Sequence, residues 1–374
     1  MSRARTFADL ATASEGDSLA SPNMITNGDM SVAQRGTSST GQSSSGIKCV
    51  DQYHYLHNGG GTADISQSST APNGFKNSLK VECNAADSSL GAGDLSGLRC
   101  YVEAQHCQKL LFGTSDAKAI TISFHVRSKQ TGTYALNLFL DDDTIQFTKT
   151  YTISSADTWE KKTITFPANT SAVIEDDTGK GIEFTWFLRA GSTYTSGSAM
   201  SGYEAYSSGD YAVGHAVDFL DDAANEFYLT GVQLEIGEVA TPFKYETFAE
   251  NLKRCQRYYC KSPSYSQSPG HGADATTNCV SIDMASNLMR TDRFFFPTSM
   301  RAAPTVTCHA QSGVSGSNTG QWAGYISSTW THFSFSGGNV TTEGFCGAAG
   351  STAGSQDGYA YWTHANWEAT AELG

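Results

Sequence analysis

The stretch AITISFHVRS at residues 119–128 decides the fold class of this chain. Apolar residues occupy every second position, and polar residues fill the positions between them. Because a strand places successive side chains on opposite faces, this period of two predicts a strand with one buried and one solvated face. TYALNLFL at 133–140 and GIEFTWFLRA at 181–190 repeat the pattern.

Turn-forming clusters such as DDDT, SSADT and EDDTGKG separate these stretches, and no helical pattern lies between them. Short strands joined in this way predict an all-β protein with a β-sandwich of the jelly-roll type. The last strand of this region, EFYLTGVQLEIG at 226–237, shifts phase at Gly231, which predicts a β-bulge there.

One helix follows the sandwich. Thr247 and Glu250 form a capping-box pattern, and Pro263 ends the segment, so we predict a connecting helix over 246–263 that carries Cys255 and Cys260. A second β-rich region then begins, with candidate strands NCVSIDMA, DRFFFP, PTVTCHAQ, THFSFSG and GYAYWTHANWEA. Roughly 105 residues is small for an independent core, so association with neighbouring chains would help to cover its apolar faces.

Composition and charge argue against several classes of protein. The 374 residues carry 24 basic and 37 acidic side chains, a formal charge of −13, which argues against a nucleic-acid partner. No apolar run approaches the ~18 residues that span a membrane, so we expect no membrane insertion. The first residues lack the apolar core of a secretory signal, which indicates synthesis in the cytoplasm. We interpret the nine cysteines as reduced, buried small side chains rather than zinc ligands.

No motif indicates catalysis, and we predict no catalytic residues and no enzyme. GxSxG, P-loop and HExxH patterns are missing, and no spacing selects the carboxylate pair that a polysaccharide hydrolase needs. Asp141–Asp143 could serve as an acid or as calcium ligands, but they lie between two alternating strands, so we favour a solvated hairpin turn, which explains them without any chemistry. Asp51, Asp94 and Glu235 could also contribute to a structural calcium site, which is the one cofactor we leave open.

Aromatic residues suggest sugar binding, because their rings stack on pyranose faces while polar groups bond the hydroxyls. Candidate ligand-binding residues lie in the loop 191–212 and near the C-terminus: Tyr194, Tyr203, Tyr206, Tyr211, Trp322 and Trp330. A place in the core or in a trimer interface is the alternative for each.

At the other end of the chain, RARTFADLATA at 3–13 can form a short helix, either frayed or ordered only against another protein.

Several motifs resemble those of a module found in bacteriophage tail fibres and related virion appendages. NMITNGDMSVAQRGTS at 23–38 resembles its start, and GVQLEIGEVATPFKY at 231–245 resembles its end. FAENLKRCQRYY, FFFPTSMRAAPTV and the final ATAEL are similar to segments that follow it, and SRARTFADLATA is similar to leaders that precede it.

The resemblance implies four regions: a virion-anchoring segment at 1–21, a carbohydrate-binding-like jelly roll at 22–245, the helix at 246–263 and a β-rich tip or trimerisation domain at 264–374. The opening motif would supply a strand and turn that seat the sandwich, with Arg35 as a structural ion-pair or turn-fixing residue. The anchor residues would be Arg3, Arg5, Phe7 and Leu10.

The function implied is a virion protein: a homotrimeric tail fibre or spike that is attached through its N-terminus to a tail, collar or capsid protein and binds host cell-surface polysaccharide. The chain lacks the long shaft or collagen-like stretch common in tail fibres. This departure keeps open a short tail appendage, or a decoration or fibre on the head. Two alternatives to the adhesin are a head decoration or collar protein with a purely structural role and a polysaccharide depolymerase, and the missing catalytic pair and β-helix pattern disfavour the depolymerase.

Overall fold

The structure is a computed structural model and describes residues 23–267, 278–283, 289–310, 321–326, 329–349 and 360–373. Strands dominate these residues, which confirms the all-β prediction. The chain forms two compact units. The first comprises 37–248 with the segment up to Ala33 and the last two residues, and the second comprises 249–372 with Gln34–Gly36. The four-region division implied by the resemblance remains a prediction.

The first unit is a sandwich of two antiparallel sheets. In chain order its strands are β1 (Ser38–Gln42), β2 (Gly46–Ile47), β3 (His54–Asn58), β4 (Thr62–Ser68), β5 (Ser78–Ala85), β6 (Leu95–Glu103), β7 (Ile120–Ser128), β8 (Gly132–Leu140), β9 (Ile145–Ile153), β10 (Glu160–Phe166), β11 (Lys180–Ala190), β12 (Glu204–Ala205) and β13 (Glu226–Ile236). One sheet has the order β1-β4-β5-β13-β7-β10, and the other has the order β12-β9-β8-β11-β6-β3-β2. Helix α1 (Ser192–Thr195) and 3-10 turns at Ala104–Leu110, Ser208–Asp210 and Phe219–Asp221 lie in the connections.

The alternating residues fill the core between the two sheets as predicted. The apolar set of β7, from Ile120 to Val126, is fully buried, and so are the apolar sets of β8 and β11. Gly231 has φ +62°, and the pairing of β13 with β7 shifts register between Thr230 and Gln233. This confirms the bulge.

The opening segment 23–33 contains no strand, although the resemblance implied one. Side-chain amides replace strand pairing there. Asn23 donates from Nδ2 to the carbonyl oxygen of Val232 at 2.8 Å and accepts at Oδ1 from the backbone N–H of Leu234 at 3.0 Å. Gly28 lies so close to this strand that a Cβ atom would come within 2.1 Å of the Val232 oxygen. The start and the end of the sandwich therefore meet at the bulge.

Asn27 holds the turn of this segment closed. Its Nδ2 donates to the carbonyl oxygens of Val32 at 2.9 Å and Asp51 at 2.8 Å, and its Oδ1 accepts from the N–H of Val32 at 2.9 Å. The residue is 1 % exposed and has φ +58°, a conformation that asparagine tolerates better than most residues. The polar composition of the motif thus supplies partners for buried backbone groups.

In its described residues, the second unit contains most of one helix, in the predicted region, and eight strands. Helix α2 spans Phe248–Gln256, and the strands are β14 (Tyr259–Lys261), β15 (Asn278–Asp283), β16 (Met289–Phe295), β17 (Thr305–Ala310), β18 (Gln321–Ile326), β19 (Thr329–Thr341), β20 (Gly344–Ala349) and β21 (Ala360–Thr370). The pairings run in a closed ring through β21, β15, β16, β20, β19 and β18, while β14 and β17 also pair with β21. Five of these strands match the predicted segments, whereas β14, β18 and β20 were not predicted.

The helix is shorter than the predicted span of 246–263. It ends at Gln256, and the chain then enters β14, where Tyr259 pairs with Thr370 of β21. Backbone pairing with β21 and burial of Tyr259 and Cys260 in this sheet compete successfully with continued helix. Cys260 therefore does not share the helix with Cys255. The cysteines whose side chains are described are free, and all but Cys346 are buried, which agrees with the prediction.

Gln34 and Arg35 are part of the second unit. Gln34 donates from Nε2 to the carbonyl oxygen of Tyr259 at 2.8 Å. The guanidinium of Arg35 lies 3.6 Å from the centre of the Tyr259 ring and forms an ion pair of 2.8 Å with Glu372. The stacked, paired geometry suits arginine better than lysine. It confirms the interpretation of Arg35 as a structural ion-pair residue.

A buried ionic cluster lies at one end of the sandwich. The side chain of Arg189 is 1 % exposed and is surrounded by three carboxylates: those of Asp87 at 3.0 Å, Asp94 at 3.1 Å and Asp218 at 3.2 Å. Burial raises the pKa of Asp218, although the charge of Arg189 opposes that shift. A single buried cation thus pairs with three acidic side chains, two from the connection between β5 and β6 and one from the connection between β12 and β13.

We expect Asn27→Gly to destabilise the protein by roughly 3 kcal/mol, because glycine keeps the left-handed backbone but leaves buried backbone groups without their amide partner. Urea unfolding measures the change. Asn84→Gly is the matched control, since Asn84 is exposed and bonds only the half-buried side chains of Thr62 and Asp64. Equal stability of the two variants would show that the amide of Asn27 is dispensable.

Arg189→Met should cost about 3–5 kcal/mol, because it leaves three carboxylates without their buried cation. Arg127→Met serves as the comparison. Arg127 pairs with Asp157, whose side chain is 50 % exposed, and loss of such a surface pair should cost below about 1 kcal/mol. Thermal and urea unfolding of both variants at neutral pH tests the difference. Similar losses would contradict the assignment of Arg189 as the central cation.

Candidate functional site

Five residues form one row across the outer face of the seven-stranded sheet. Strand pairing places them side by side in the order Tyr101, Glu183, Phe139, Gln146 and Glu204, on β6, β11, β8, β9 and β12. Their chain neighbours point into the core, so these side chains project from the opposite face. We call this row the strip. Tyr101 and Phe139 are two strand spacings apart, roughly 10 Å, which exceeds the width of one sugar ring.

The loop 191–212 lies over the same face and forms one wall of the strip. Gln146 donates from Nε2 to the carbonyl oxygen of Ser207 at 2.8 Å, and Thr148 donates from Oγ1 to that of Asp210 at 2.8 Å. Tyr211 and Ala212 then pack with Phe187 in a small second core. The loop is therefore fixed to the sheet by polar side chains on the outer face of β9.

Tyr206 is the exposed aromatic residue of this wall. Its ring is edge-on to Phe139 and to Tyr211, with centroid distances of 5.8 Å in both cases. Its backbone N–H donates to the carbonyl oxygen of Thr144 at 2.9 Å, and the residue is 43 % exposed. An exposed ring held from two sides loses little conformational freedom when a ligand stacks on it.

A polar network lies behind Tyr206. Tyr211 donates from its hydroxyl to Oε1 of Glu183 at 3.2 Å and accepts from an NH2 group of Arg99 at 2.6 Å. Arg99 also pairs with Oε1 of Glu183 at 2.8 Å, and Thr185 donates to the same oxygen at 3.1 Å. Burial raises the pKa of the Tyr211 hydroxyl, and the negative charge of Glu183 raises it further, so this hydroxyl keeps its proton.

Two side chains, His54 and Lys180, complete the border of the strip. His54 packs edge-on against Tyr101 at 5.0 Å. Lys180 lies 5.6 Å from the centre of the same ring and forms an ion pair of 2.8 Å with Asp141. Burial opposes the charge of Lys180, but hydrogen bonding and attraction to Asp141 outweigh it and raise the pKa of the ammonium group.

The predicted tyrosines occupy different places. Tyr206 and Tyr211 lie together beside the strip, and Tyr194 is partly buried with its ring 6.3 Å from that of Tyr211. Tyr203 instead packs against the main core, with its ring 5.4 Å from Phe147. Burial raises the pKa of its hydroxyl. The structure therefore brings three of the four loop tyrosines together, and it leaves their role in ligand binding a prediction.

The remaining predicted site residues give less information. Trp322 and Trp330 lie on β18 and β19, but their side chains fall outside the described part of the structure. The anchor residues Arg3, Arg5, Phe7 and Leu10 also lie outside the described residues. Their predicted roles stay untested.

Four of the candidate calcium ligands form hydrogen bonds or ion pairs with groups of the protein itself. Asp142 and Asp143 accept from the backbone N–H groups of Glu175 and Val173, so this turn also holds a neighbouring loop, which the sequence did not predict. Asp94 pairs with Arg189, and Glu235 accepts from the N–H of Thr241 at 3.0 Å. Among the described residues, no group of three or more His, Cys, Asp or Glu side chains is arranged to hold a metal ion.

No helix in the described part of the chain is long and apolar enough to cross a membrane.

Sequence reasoning missed the residues of the strip and Arg99 behind it. Phe139 and Glu183 occupy outward positions of alternating stretches, which predict solvated residues, and Arg99 and Tyr101 lie on β6, a strand that the sequence analysis did not identify. One signal was available. GIEFTWFLRA carries an acidic and a basic residue among outward positions next to large aromatics, and β11 in fact buries nearly all its residues on both faces.

Comparison with known proteins places the fold in context. No protein-family model and no curated protein sequence matches the chain. Among solved structures, the enzymatically active domain of tailspike protein 4 from bacteriophage CBA120 has a TM-score of 0.32 and 11 % identity, covering 57 % of this chain and 21 % of that one. The family 11 carbohydrate-binding module from Clostridium thermocellum, in complex with a β-1,3-1,4-mixed-linked tetrasaccharide, has a TM-score of 0.28 and 10 % identity, covering 51 % and 91 %.

A putative sugar-binding protein from Bacteroides thetaiotaomicron has a TM-score of 0.30 and 11 % identity, and the match covers 57 % of this chain and 99 % of that one. The chain thus spans about a fifth of the tailspike but nearly all of the smaller modules. These similarities are too low to assign the chain to a family.

Proposed function

We propose that the protein is a non-enzymatic virion component, a phage tail fibre or spike, whose sandwich binds a glycan on the host cell surface along the strip. The observation that carries the glycan-binding part is the exposed ring of Tyr206 above Phe139, next to the carboxylate of Glu183 in the same row. A ring for stacking beside polar groups for hydroxyls is the arrangement that sugar recognition requires.

The shape of the site also supports a glycan over a small metabolite. Tyr101, Glu183 and Phe139 lie side by side in it on β6, β11 and β8, while Gln146 on β9 is fully buried beneath the loop. A site that crosses several strands suits an extended chain of sugar rings. The bonds of Gln146 and Thr148 to the loop backbone hold its wall in place before any ligand arrives, which reduces the entropy lost on binding.

The virion part of the proposal rests on the resemblance of the opening and closing motifs to those of phage tail appendages. These two motifs meet in the fold through Asn23, Gly28 and Val232, as expected if they act as one unit of sequence. We further propose a homotrimer attached to the particle through its N-terminal segment. Several weak sites in one trimer would then gain affinity through multivalent attachment to the cell surface.

Tyr206→Ala should weaken binding about tenfold or more, because a central aromatic residue commonly contributes over 1 kcal/mol. The measurement is calorimetric titration of the full-length protein with the oligosaccharide that binds best in a glycan array. Tyr245→Ala is the matched control, since Tyr245 is 60 % exposed and its ring packs against Phe75 and Phe243 rather than the strip. It should bind like the unchanged protein.

Binding to intact host cells, with periodate-oxidised cells as the control, tests the adhesin role separately. Loss of binding after oxidation supports a glycan receptor. A folded, oligomeric protein that binds neither cells nor any glycan would contradict the adhesin role and favour a structural virion protein. Unchanged affinity in Tyr206→Ala would show that the site lies elsewhere.

A further inference from the structure

The two carboxylate oxygens of Glu183 have very different surroundings. Oε1 receives Arg99, Thr185 and Tyr211 at distances between 2.8 and 3.2 Å. No hydrogen bond from any described residue reaches Oε2. The side chain is only 6 % exposed, so a carboxylate with one unused oxygen is held in a largely desolvated position. Such an oxygen gains considerably from a donor that arrives with a ligand.

Surrounding groups hold this carboxylate in place. Arg99 is fixed between Tyr211 and Glu183, and these two residues raise the pKa of its guanidinium despite its burial. The ring of Tyr211 is in turn fixed against Phe187 at 4.9 Å. Glu183 itself pairs with Tyr101 on one side and with Phe139 on the other, in the middle of the strip. Its position is therefore determined before a ligand binds.

We infer that Glu183 is the specificity-determining residue of the strip, and that it selects glycans presenting an uncharged hydroxyl at this position and rejects those presenting a carboxylate. The inference rests on the proposed glycan-binding function. Arg99 and Tyr211 are positioning residues, since they contact Glu183 and leave its Oε2 for the ligand.

The preference for a hydroxyl over a carboxylate follows from the hydrogen-bonding chemistry of these two ligand groups. A sugar hydroxyl can donate its hydrogen to Oε2, whereas an ionised carboxylate has only acceptors and would place two negative groups together. Arg99 does not remedy this, because Glu183 and Tyr211 already engage it. Lys180, the other cation at the border, is paired with Asp141. A uronic acid at this position therefore meets repulsion without a free partner.

The test uses hexasaccharides of glucose, mannose and galactose, each paired with its counterpart in which the primary alcohols are oxidised to carboxylates. The full-length protein should bind at least one neutral member and prefer it at least tenfold over its oxidised counterpart. Glu183→Gln should weaken binding of the neutral sugar about tenfold, as for a lost charged hydrogen bond. It should also reduce the preference over the oxidised sugar to about twofold, since the repulsion is gone.

Glu82→Gln is the control, because Glu82 lies on β5 in the other sheet, pairs with Lys80 and has a side chain that is 43 % exposed. It should leave the preference unchanged. Arg99→Met tests the positioning role through a double-mutant cycle with Glu183→Gln. If Arg99 acts through Glu183, its effect on binding should largely vanish in the Glu183→Gln background. Thermal unfolding confirms that each variant is folded.

Several results would overturn the inference. A Glu183→Gln variant that keeps the full preference for neutral sugars, or unchanged protein that prefers the oxidised sugars, would show that Glu183 does not set specificity. If the losses of binding free energy in Arg99→Met and Glu183→Gln add strictly in the double variant, Arg99 does not act through Glu183 and has a purely structural role. Failure of the unchanged protein to bind either series, together with the absence of cell binding, would instead remove the proposed function on which the inference depends.

Discussion

Buried side-chain amides at the start of the sandwich are the constraint on which the first unit depends. Asn23 and Asn27 supply hydrogen bonds to backbone groups that would otherwise be buried without partners. Through them the segment at 23–33 joins β13 at its bulge, so the first and last parts of the module close on one another. Apolar side chains of the same size could fill this space but could not satisfy those backbone groups, which explains the polar composition of a segment that the fold nevertheless buries.

The alternating stretches predicted the sandwich correctly because burial in a strand depends on a local period of two. Ile120, Tyr134 and Phe184 are fully buried as that period requires. The length of the helix, the strands β18 and β20 and the path of Gln34–Gly36 depend on partners distant in sequence, which local patterns do not contain. Tyr259 illustrates the limit: it follows a helical pattern, yet its pairing with β21 makes it part of a strand.

The candidate site follows the same division. The aromatic loop was visible in the sequence as a cluster of tyrosines among glycine and serine, and Tyr206 does lie exposed beside a polar row. The burial of Tyr203 was not predictable, because it depends on Phe112 and Phe147 from other strands and loops. Nor was the role of β11, whose Glu183 looks solvated until the loop folds over it. The network links residues more than eighty positions apart, such as Arg99 and Glu183, and only the register of β6 and β11 brings them together.

Gln34–Gly36 belong to the second unit although they lie more than two hundred residues before the rest of it. A single recombination event near residue 248 would transfer most of the second unit but leave this tripeptide behind. Any incoming domain would then have to accommodate the arginine it inherits, with an aromatic ring in the place of Tyr259 and an acid in the place of Glu372. The short AQRG motif thus limits which domains can be exchanged at this position.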